Sequence, residues 1–299
     1  MNIKKSGFIT LCGRPNVGKS TLTNALVGEK VAIVTNKPQT TRNRICAILS
    51  RGESQFVFVD TPGLHKAKNR LGDYMVNVVQ ESVSDVDAIL LLVEPIPNAG
   101  EPERQLMERI SRQKAPAVLV INKIDTVEKE KLLEVIGVYS ALCDFAAVMP
   151  ISARTGEGVE ELLDLLDGYL PEGPQLFPDD MVSDQPERAM MGEILREKLL
   201  LCLDKEIPHG TAVEVTKFSE RVESGVIDVE CTIYCEKNSH KGIIIGKGGA
   251  MLKKISTLAR QEMERFMGAK IFLTTWVKVK ENWRDNPGAI SNFGYHKDN

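Results

Sequence analysis

A lysine and a serine at the end of a glycine-rich turn are the side chains of this sequence best suited to phosphate chemistry. The turn, Gly13 to Ser20, reads Gly-Arg-Pro-Asn-Val-Gly-Lys-Ser; an apolar strand pattern at 8–11 precedes it and a helical pattern at 22–26 follows. This order fits the loop G-x-x-x-x-G-K-[ST], in which backbone N–H groups and a helix N-terminus surround phosphate oxygens. We expect Lys19 to reach the β- and γ-phosphates of a nucleotide and the Ser20 hydroxyl to hold Mg²⁺.

The tetrapeptide Asn122-Lys123-Ile124-Asp125 indicates which base such a site would read. It follows the apolar strand pattern at 117–121, and ligands gather at the carboxyl ends of parallel strands. The Asp125 carboxylate can accept hydrogen bonds from N1–H and the exocyclic amine of guanine. Adenine lacks both donors and would leave the carboxylate unpaired, so the site would discriminate strongly between the two bases. We expect Lys123 to lie along the base and Asn122 to tie the loops together.

Two shorter motifs complete the pattern expected around a guanine nucleotide. Ser152-Ala153-Arg154 follows the strand pattern at 146–151, where a backbone N–H is placed to meet the guanine carbonyl. Asp60-Thr61-Pro62-Gly63 ends the strand pattern at 56–59. In isolation the second motif is a common strand-ending turn. Between the phosphate loop and the base-reading motif, we interpret Asp60 as acting on Mg²⁺ through water and the Gly63 N–H as sensing the γ-phosphate.

A threonine between the first helix and the second strand is expected to complete the Mg²⁺ shell. The segment 39–43 reads Gln-Thr-Thr-Arg-Asn and offers two neighbouring hydroxyls. We favour Thr41 as the ligand, with Thr40 as the alternative, because one sequence cannot separate the two. A polar surface loop is the other interpretation of this segment.

In content, order and spacing, these motifs resemble those of the translation-factor-related GTPases over residues 6–171. Leu64 narrows the resemblance, because Ras-like proteins carry a water-orienting glutamine at this position and an apolar side chain cannot align water. The resemblance is therefore to the branch with a hydrophobic substitution there. In several members of that branch the asparagine of the phosphate loop helps to bind K⁺, so the resemblance implies that role for Asn16 and hydrolysis stimulated by K⁺.

The expected site residues fall into three groups. The residues expected to contact GTP or GDP are Gly13, Arg14, Pro15, Asn16, Val17, Gly18, Lys19, Ser20, Asp60, Thr61, Pro62, Gly63, Leu64, Asn122, Lys123, Ile124, Asp125, Ser152, Ala153 and Arg154. The residues expected to carry hydrolysis are Lys19, Asn16, Thr41 and Gly63. The expected metal ligands are Ser20, Thr41 and Asp60 for Mg²⁺ and Asn16 for K⁺.

The second half of the chain carries an uneven charge that points to a nucleic acid. Prolines, glycines and aspartates break any regular pattern at 172–186, which we interpret as a linker. From Pro171 to Glu236 there are 6 Lys/Arg and 15 Asp/Glu, whereas from Lys237 to Arg284 there are 11 and 3, a local net charge of +8. A basic stretch in a mildly acidic chain suggests contact with a phosphate backbone, although a solvated basic face is the commoner explanation.

A Gly-Lys-Gly-Gly turn lies inside that basic stretch. Gly246 to Gly249 stands between two helical patterns, and a G-x-x-G loop between two helices is the clamp that holds about four nucleotides in KH domains. A turn between helices with no ligand is the alternative. The surrounding order helix, strand, strand, helix, helix, strand is that of type II KH domains. The residues expected to contact RNA are Ile244, Gly246, Lys247, Gly248, Gly249, Lys253 and Lys254.

Together the two halves are similar to the Era family of bacterial ribosome-assembly GTPases over nearly the whole chain. This resemblance implies an α/β fold: a P-loop GTPase domain with a mixed, mostly parallel sheet and helices on both faces, then an α+β type II KH domain. We assign the GTPase domain to 1–171, the linker to 172–186, the KH domain to 187–280 and a tail to 281–299. The resemblance also implies binding near the 3′ end of 16S rRNA, a role in 16S rRNA processing and assembly of the 30S subunit, and a cytoplasmic monomer in loose, peripheral contact with the inner membrane.

Two other functions stay open at the level of sequence. The chain could be chiefly an RNA-binding factor in which hydrolysis only resets binding, or a GTP-switched protein for another RNA or a protein partner. Among the simpler features, no run of 18 apolar residues is present and the N-terminus passes directly into the first strand, which predicts no signal peptide. The six cysteines form no C-x-x-C pair and are expected to be buried thiols, and His65 is interpreted as a surface histidine.

Overall fold

The computed structural model describes residues 2–64 and 67–295 and divides the chain into two compact units. The first unit comprises Met1–Ala32, Thr41–Lys68 and Gly72–Asp184. The second comprises Ile33–Thr40, Asn69–Leu71 and Gln185–Asn299. His65 lies outside the described residues.

A six-stranded sheet forms the centre of the first unit. Its strands are β1 (Lys5–Gly13), β2 (Ile45–Arg51), β3 (Ser54–Asp60), β4 (Ala88–Val93), β5 (Ala117–Ile121) and β6 (Ala147–Pro150), in the order β2-β3-β1-β4-β5-β6. Only β2 runs antiparallel to its neighbour; the other pairs are parallel. The helices of this unit are α1 (Lys19–Val27), α2 (Arg70–Glu81, from Gly72 onward), α3 (Glu101–Ile110), α4 (Glu130–Ser140) and α5 (Val159–Asp167).

Helices cover both faces of this sheet, as predicted. On one face, residues of α1 and α5 such as Leu22 and Leu162 share a buried cluster with Leu90 and Val118 of the central strands. On the other face, α3 and α4 pack against alternate residues of the same strands, including Leu91 and Leu119. Because the central strands are buried on both sides, they read as unbroken apolar runs. The parallel arrangement brings the carboxyl ends of β1, β3, β4 and β5 to one edge, where the polar motifs follow.

The segment predicted as a linker is held against the first unit along much of its length. The Ile48 N–H donates to Val182 O at 2.9 Å and the Asp184 N–H donates to Cys46 O at 3.1 Å, so the chain covers the free edge of β2. Further along, Gln55 accepts hydrogen bonds from two backbone N–H groups of this segment. Composition alone indicated a break in regular structure, but it could not show that the irregular chain satisfies the hydrogen bonds of an edge strand.

The second unit is an α+β arrangement; its helices and strands up to residue 279 have the predicted order, and a further short helix lies in the segment assigned to the tail. It contains α6 (Glu187–Cys202), β7 (Ala212–Glu220), β8 (Ile227–Cys235), α7 (Asn238–Ile245), α8 (Ala250–Met267), β9 (Ile271–Val279) and α9 (Pro287–Asn292). The sheet order is β7-β8-β9, with the first pair antiparallel and the second parallel. One buried cluster joins α6 and α8 to the inner face of this sheet, which fixes the turn between α7 and α8 on a packed scaffold.

The described part of the chain contains no helix long and apolar enough to span a membrane. The cysteines are free thiols, and Cys12, Cys46, Cys143, Cys231 and Cys235 are buried while Cys202 is partly exposed. Burial raises the pKa of Cys231 to about 12, so this thiol stays protonated at neutral pH.

Candidate functional site

The glycine-rich turn of the first unit connects β1 directly to α1. Gly18 is the N-cap of α1 with φ +100°, and Gly13 has φ +144°. A Cβ at Gly13 would collide with the carbonyl of Leu92, and one at Gly18 would collide with the Asn122 side chain. These positions therefore require glycine, and the turn presents its backbone to the N-terminal end of a helix, where an anion is favoured.

Lys19 lies over this turn, with its side chain almost fully buried. Its Nζ donates to Gly13 O at 3.2 Å and to Arg14 O at 3.0 Å. Burial lowers the pKa of Lys19, and the nearby Asp60 carboxylate opposes that shift. The ammonium group is thus held beside backbone carbonyls in a place where a polyphosphate would compensate its charge far better than they do.

Three oxygen-bearing side chains meet next to Lys19. The Ser20 hydroxyl donates to Asp60 Oδ2 at 2.6 Å and its Oγ lies 2.8 Å from Thr41 Oγ1. Burial raises the pKa of Asp60 to about 6, with Lys19 acting in the opposite direction. Asp60 Oδ1 is buried and finds no hydrogen-bond partner among residues 2–64 and 67–295. A hard-oxygen donor set with an orphaned carboxylate oxygen fits Mg²⁺, which prefers oxygen ligands.

The structure separates the two threonines that the sequence left open. Thr40 Oγ1 donates to Lys37 O at 2.6 Å and lies 2.7 Å from Thr35 Oγ1, within the segment Ile33–Thr40. Thr41 Oγ1 instead lies beside Ser20. The geometry therefore favours Thr41 as the metal ligand.

The Asp-Thr-Pro-Gly motif lies against the phosphate loop. A Cβ at Gly63 would come within 2.6 Å of Pro15 Cα, so this approach requires glycine. The Leu64 N–H donates to Gly13 O at 3.0 Å, and the Thr61 hydroxyl donates to Leu11 O at 2.8 Å. The Leu64 side chain packs against the buried cluster under α3 and α4. These bonds place the backbone of the motif beside the loop and leave the apolar Leu64 side chain without a means of orienting water.

The base-reading motif is tied to both neighbouring loops, as predicted for Asn122. The Asn122 Nδ2 group donates to Val17 O at 2.8 Å, and its Oδ1 accepts from the Ala153 N–H at 2.9 Å. The Asp125 carboxylate accepts from the Ser152 hydroxyl at 2.6 Å and from the Arg154 guanidinium. The hydrogen bond from Ser152, followed by the Arg154 charge, holds the pKa of Asp125 below its ordinary value. This carboxylate therefore stays ionised and able to accept hydrogen bonds.

Two glutamates support this site although the sequence did not single them out. Glu94 accepts from Lys123 Nζ at 2.6 Å, and the same ammonium donates to Asn16 O at 2.6 Å. Glu103, which is buried, lies 3.7 Å from the Arg14 guanidinium. Glu94 directly follows β4 at the carboxyl edge of the sheet, so its position was a usable signal. Glu103 lies within α3, and nothing in its local sequence indicated a partner in the phosphate loop.

The Gly-Lys-Gly-Gly turn of the second unit forms an open loop between α7 and α8. Gly246, Gly248 and Gly249 all have positive φ, at +74°, +59° and +82°. A Cβ at Gly246 would meet Met251 at 2.7 Å, whereas nothing lies within 4 Å of a Cβ at Gly248 or Gly249. The backbone of the last two glycines is thus accessible to a ligand, and the exposed Lys247, Lys253 and Lys254 surround it with positive charge.

Ile244 requires a correction. The sequence predicted that it contacts RNA, but its side chain is fully buried in the core of the second unit. An α-helix directs adjacent residues to different faces, and Ile243 is the neighbour that is half exposed. Ile244 anchors α7 to the core, and Ile243 is the isoleucine available to a base.

Comparisons with known proteins agree with both halves of this description. A family described as "50S ribosome-binding GTPase" matches residues 8–123, and the KH domain family matches residues 206–284. GTPase Era of Ruminiclostridium cellulolyticum is 52% identical over 97% of each chain, and GTPase Era of Clostridium kluyveri is 51% identical over 97% of this chain and 99% of its own.

The chain belongs to the Era family of GTPases.

Solved structures of Era support the same assignment at the level of the whole chain. A variant of Aquifex aeolicus Era bound to GDP and AlF₄⁻ has a TM-score of 0.94, with 35% identity over 98% of this chain and 100% of its own. Era in complex with MgGDPNP and nucleotides 1506–1542 of 16S ribosomal RNA also has a TM-score of 0.94, with 34% identity and the same coverage. As a member of the Era family, the protein is a GTPase with a C-terminal KH domain.

Proposed function

We propose that the protein binds the 3′ end of 16S rRNA through its Gly-Lys-Gly-Gly clamp and that bound GTP controls this binding. The observation that carries the proposal is the accessible backbone of Gly248 and Gly249 beside three exposed lysines. An Era relative at 34% identity, solved with MgGDPNP and nucleotides 1506–1542 of 16S rRNA, supports the choice of RNA. On this basis we assign RNA contacts to Gly246, Lys247, Gly248 and Gly249, with Lys253 and Lys254 on the adjoining turn of α8.

In the nucleotide site we assign the phosphates to the loop Gly13–Ser20 and the guanine base to Asp125. Lys19 supplies the fixed positive charge beside the β- and γ-phosphates, in a buried position where its electrostatic effect is strong. Ser20, Thr41 and Asp60 would hold Mg²⁺. When bound, this ion would place positive charge beside the transferring phosphoryl group and offset its negative charge. We assign the γ-phosphate contact to the Gly63 N–H, since this glycine lies close to Pro15 of the loop. These groups bind and orient the nucleotide, and none of them has to form a covalent bond to it.

We further propose that K⁺ accelerates hydrolysis through Asn16. Asn16 has φ +68°, a conformation outside the ordinary strand and helix regions, and its backbone carbonyl accepts a hydrogen bond from Lys123. A monovalent cation at the Asn16 side-chain oxygen would supply positive charge near the β- and γ-phosphates. This assignment is consistent with Leu64, which offers no polar group to orient the attacking water.

In the cell, this chemistry corresponds to a nucleotide-timed factor in 16S rRNA processing and assembly of the 30S subunit. GTP would order the segments around Thr41 and Gly63, and hydrolysis would release them. Because coupling is reciprocal for affinities, RNA in the clamp would favour the triphosphate state. We propose a cytoplasmic monomer, and we retain peripheral contact with the inner membrane as a prediction from the family resemblance.

Crosslinking the protein to RNA in living cells and sequencing the adducts tests this proposal. We expect the adducts to concentrate near the 3′ end of 16S rRNA and to disappear in the variant Gly248→Asp, which places a negative charge in the clamp. Gly268→Asp is the matched control, because Gly268 has φ +62° and open space around it but caps the far end of α8. Adducts concentrated on another RNA would support a chaperone for a different target, and their absence from all RNA would support a protein partner.

A further inference from the structure

A segment that lies between two elements of the first unit in the chain is part of the second unit in the fold. Residues Ile33–Thr40 lie between α1 and β2 in the chain, but they group with the clamp-carrying unit, and the chain returns to the first unit at Thr41. The chain therefore passes from the second unit to the first at the peptide bond that joins Thr40 to Thr41. Since Thr41 lies beside Ser20 at the proposed Mg²⁺ site, whatever fixes the Thr40 carbonyl also restricts Thr41.

A buried arginine of α6 holds that carbonyl. The Arg196 side chain is 1% exposed, its Nη2 donates to Thr40 O and its Nη1 donates to Gln39 O at 3.3 Å. Glu193 on the preceding turn accepts from Arg196 Nε at 2.8 Å and from Nη2 at 2.5 Å. The planar guanidinium is thus fixed by a carboxylate on one side and by two backbone carbonyls on the other, an arrangement that a lysine cannot reproduce.

The next residue of α6 holds the other end of the same segment. Glu197 Oε1 accepts from the Val34 N–H at 3.0 Å, and its second oxygen accepts from Lys198 at 2.5 Å. Lys37, in the middle of the segment, bonds to Leu203 O just beyond the helix. Hydrogen bonds to α6 and to Leu203 just beyond it therefore hold the segment near its start, at its middle and at its end. A displacement of the helix would displace the segment with it.

The same helix is packed against the one that begins at the clamp. Lys198 lies 3.8 Å from the Glu262 carboxylate of α8, and residues of both helices share the core of the second unit. Gly249 is both the last residue of the clamp and the N-cap of α8. A continuous series of packed and hydrogen-bonded groups thus runs from the clamp through α8 and α6 to the Thr40 carbonyl.

We propose that Arg196 is a positioning residue that couples RNA in the clamp to the Thr41 hydroxyl at the nucleotide site. The inference rests on the proposed function, because it takes the clamp to bind RNA and Thr41 to hold Mg²⁺. In this arrangement, ordering of Thr41 by GTP and Mg²⁺ is transmitted to α6 through one peptide bond and one guanidinium. The coupling depends on the fork of hydrogen bonds from the two terminal nitrogens of Arg196 to the Gln39 and Thr40 carbonyls, and not on the charge of Arg196 alone.

The test compares RNA affinity in two nucleotide states. For the wild-type protein, we expect Kd for a 16S 3′-end oligonucleotide to be at least about fivefold lower with GDPNP and Mg²⁺ than with GDP, the lower range of allosteric coupling. In the double variant Arg196→Met, Glu193→Met, which removes both buried charges together, the ratio should fall below about twofold while Kd for RNA in the GDP state changes little. The control Arg284→Met, Glu236→Met removes another partly buried ion pair of this unit and should keep the wild-type ratio.

The outcomes separate this inference from the proposed function. If the double variant keeps the ratio of the wild-type protein, the role of Arg196 is overturned while control of RNA binding by GTP stands. A ratio near one in the wild-type protein overturns control by GTP itself, and with it this inference. Failure of the wild-type protein to bind the oligonucleotide overturns the proposed function itself. Should the double variant fail to fold, Arg196→Lys keeps the charge but loses the fork, and should also reduce the ratio. Amide exchange needs no variant: RNA added to the GDPNP-bound wild type should slow exchange at 33–41, and unchanged exchange contradicts the coupling.

Discussion

The hydroxyl oxygens of Ser20 and Thr41 lie 2.8 Å apart, although 21 residues separate them in the chain. Ser20 lies in the first turn of α1, and Thr41 precedes β2. Their meeting point is next to Asp60, whose second carboxylate oxygen is buried and has no hydrogen-bond partner in the described part of the chain. We assign the oxygens of Ser20, Thr41 and Asp60 to Mg²⁺ in the GTP-bound state. Replacing Thr41 removes one of these ligands and leaves the other two side chains unchanged.

Replacement of Thr41 by alanine should lower kcat for GTP by at least about tenfold, because one oxygen ligand of the metal is lost where charge develops. Thr41→Ser keeps the hydroxyl and should retain most of the activity. Thr40→Ala should lower kcat less than Thr41→Ala, since the hydrogen bonds of the Thr40 hydroxyl in the described part of the chain are to Thr35 and Lys37 of its own segment. Steady-state hydrolysis at saturating Mg²⁺ measures all three. Equal losses in the two alanine variants would contradict the assignment of Thr41.

Replacement of Asp125 by asparagine should change the base that the site prefers. The amide presents a donor where the carboxylate accepted from the guanine amine, so affinity for GDP should fall by at least about a hundredfold. Xanthine carries a carbonyl at that ring position and should bind the variant better than guanine does. Competition titrations with the two nucleoside diphosphates give the ratio directly. A variant that still prefers GDP would show that Asp125 does not read the base.

Hydrolysis should be faster in KCl than in NaCl at the same ionic strength. Asn16→Gly tests the cation site, because glycine adopts the φ of +68° without strain and removes only the side-chain oxygen. We expect this variant to lose the difference between the two salts. Equal turnover of the wild-type protein in K⁺ and Na⁺ would remove the basis for the K⁺ site.

The cysteines should differ sharply in reactivity at pH 8. Burial raises the pKa of Cys231 to about 12, so only about one molecule in ten thousand carries this thiolate at that pH. Cys202 is the partly exposed cysteine and should account for the single thiol that reacts quickly with Ellman's reagent in the native protein. All six should react in denaturant. Rapid reaction of two or more thiols in the native protein would mean that the reagent reaches cysteines that are buried in the structure.

The sequence pattern is most accurate for strands that are completely buried. The strand pattern at 117–121 coincides with β5, because a strand buried on both faces is apolar at every position and ends where a polar motif begins. Helix α6 begins at Glu187. Its first turn follows Pro186, and burial of Met190 and Met191 extends the helix through a stretch where the sequence showed no clear periodicity.

The parts that the sequence missed depend on partners distant in the chain. Ile244 and Ile243 are chemically the same, and only the packing of α7 shows which one is buried. The salt bridge from Glu103 to Arg14 and the hydrogen bonds from Arg196 to the segment 33–40 join residues that no local pattern connects. A sequence motif therefore identifies the residues expected to contact the ligand. Supporting residues such as Glu103 and Arg196 are identified only from the structure.

The most direct test of the account is the affinity of the purified protein for a short single-stranded RNA with the 3′-end sequence of 16S rRNA. We expect tight binding with GDPNP and Mg²⁺, binding to a scrambled sequence of equal length that is at least about tenfold weaker, and a comparable loss for Gly248→Asp but not for Gly268→Asp. Equal affinity for the two sequences, or full affinity in Gly248→Asp, would contradict the claim that the clamp recognises this RNA.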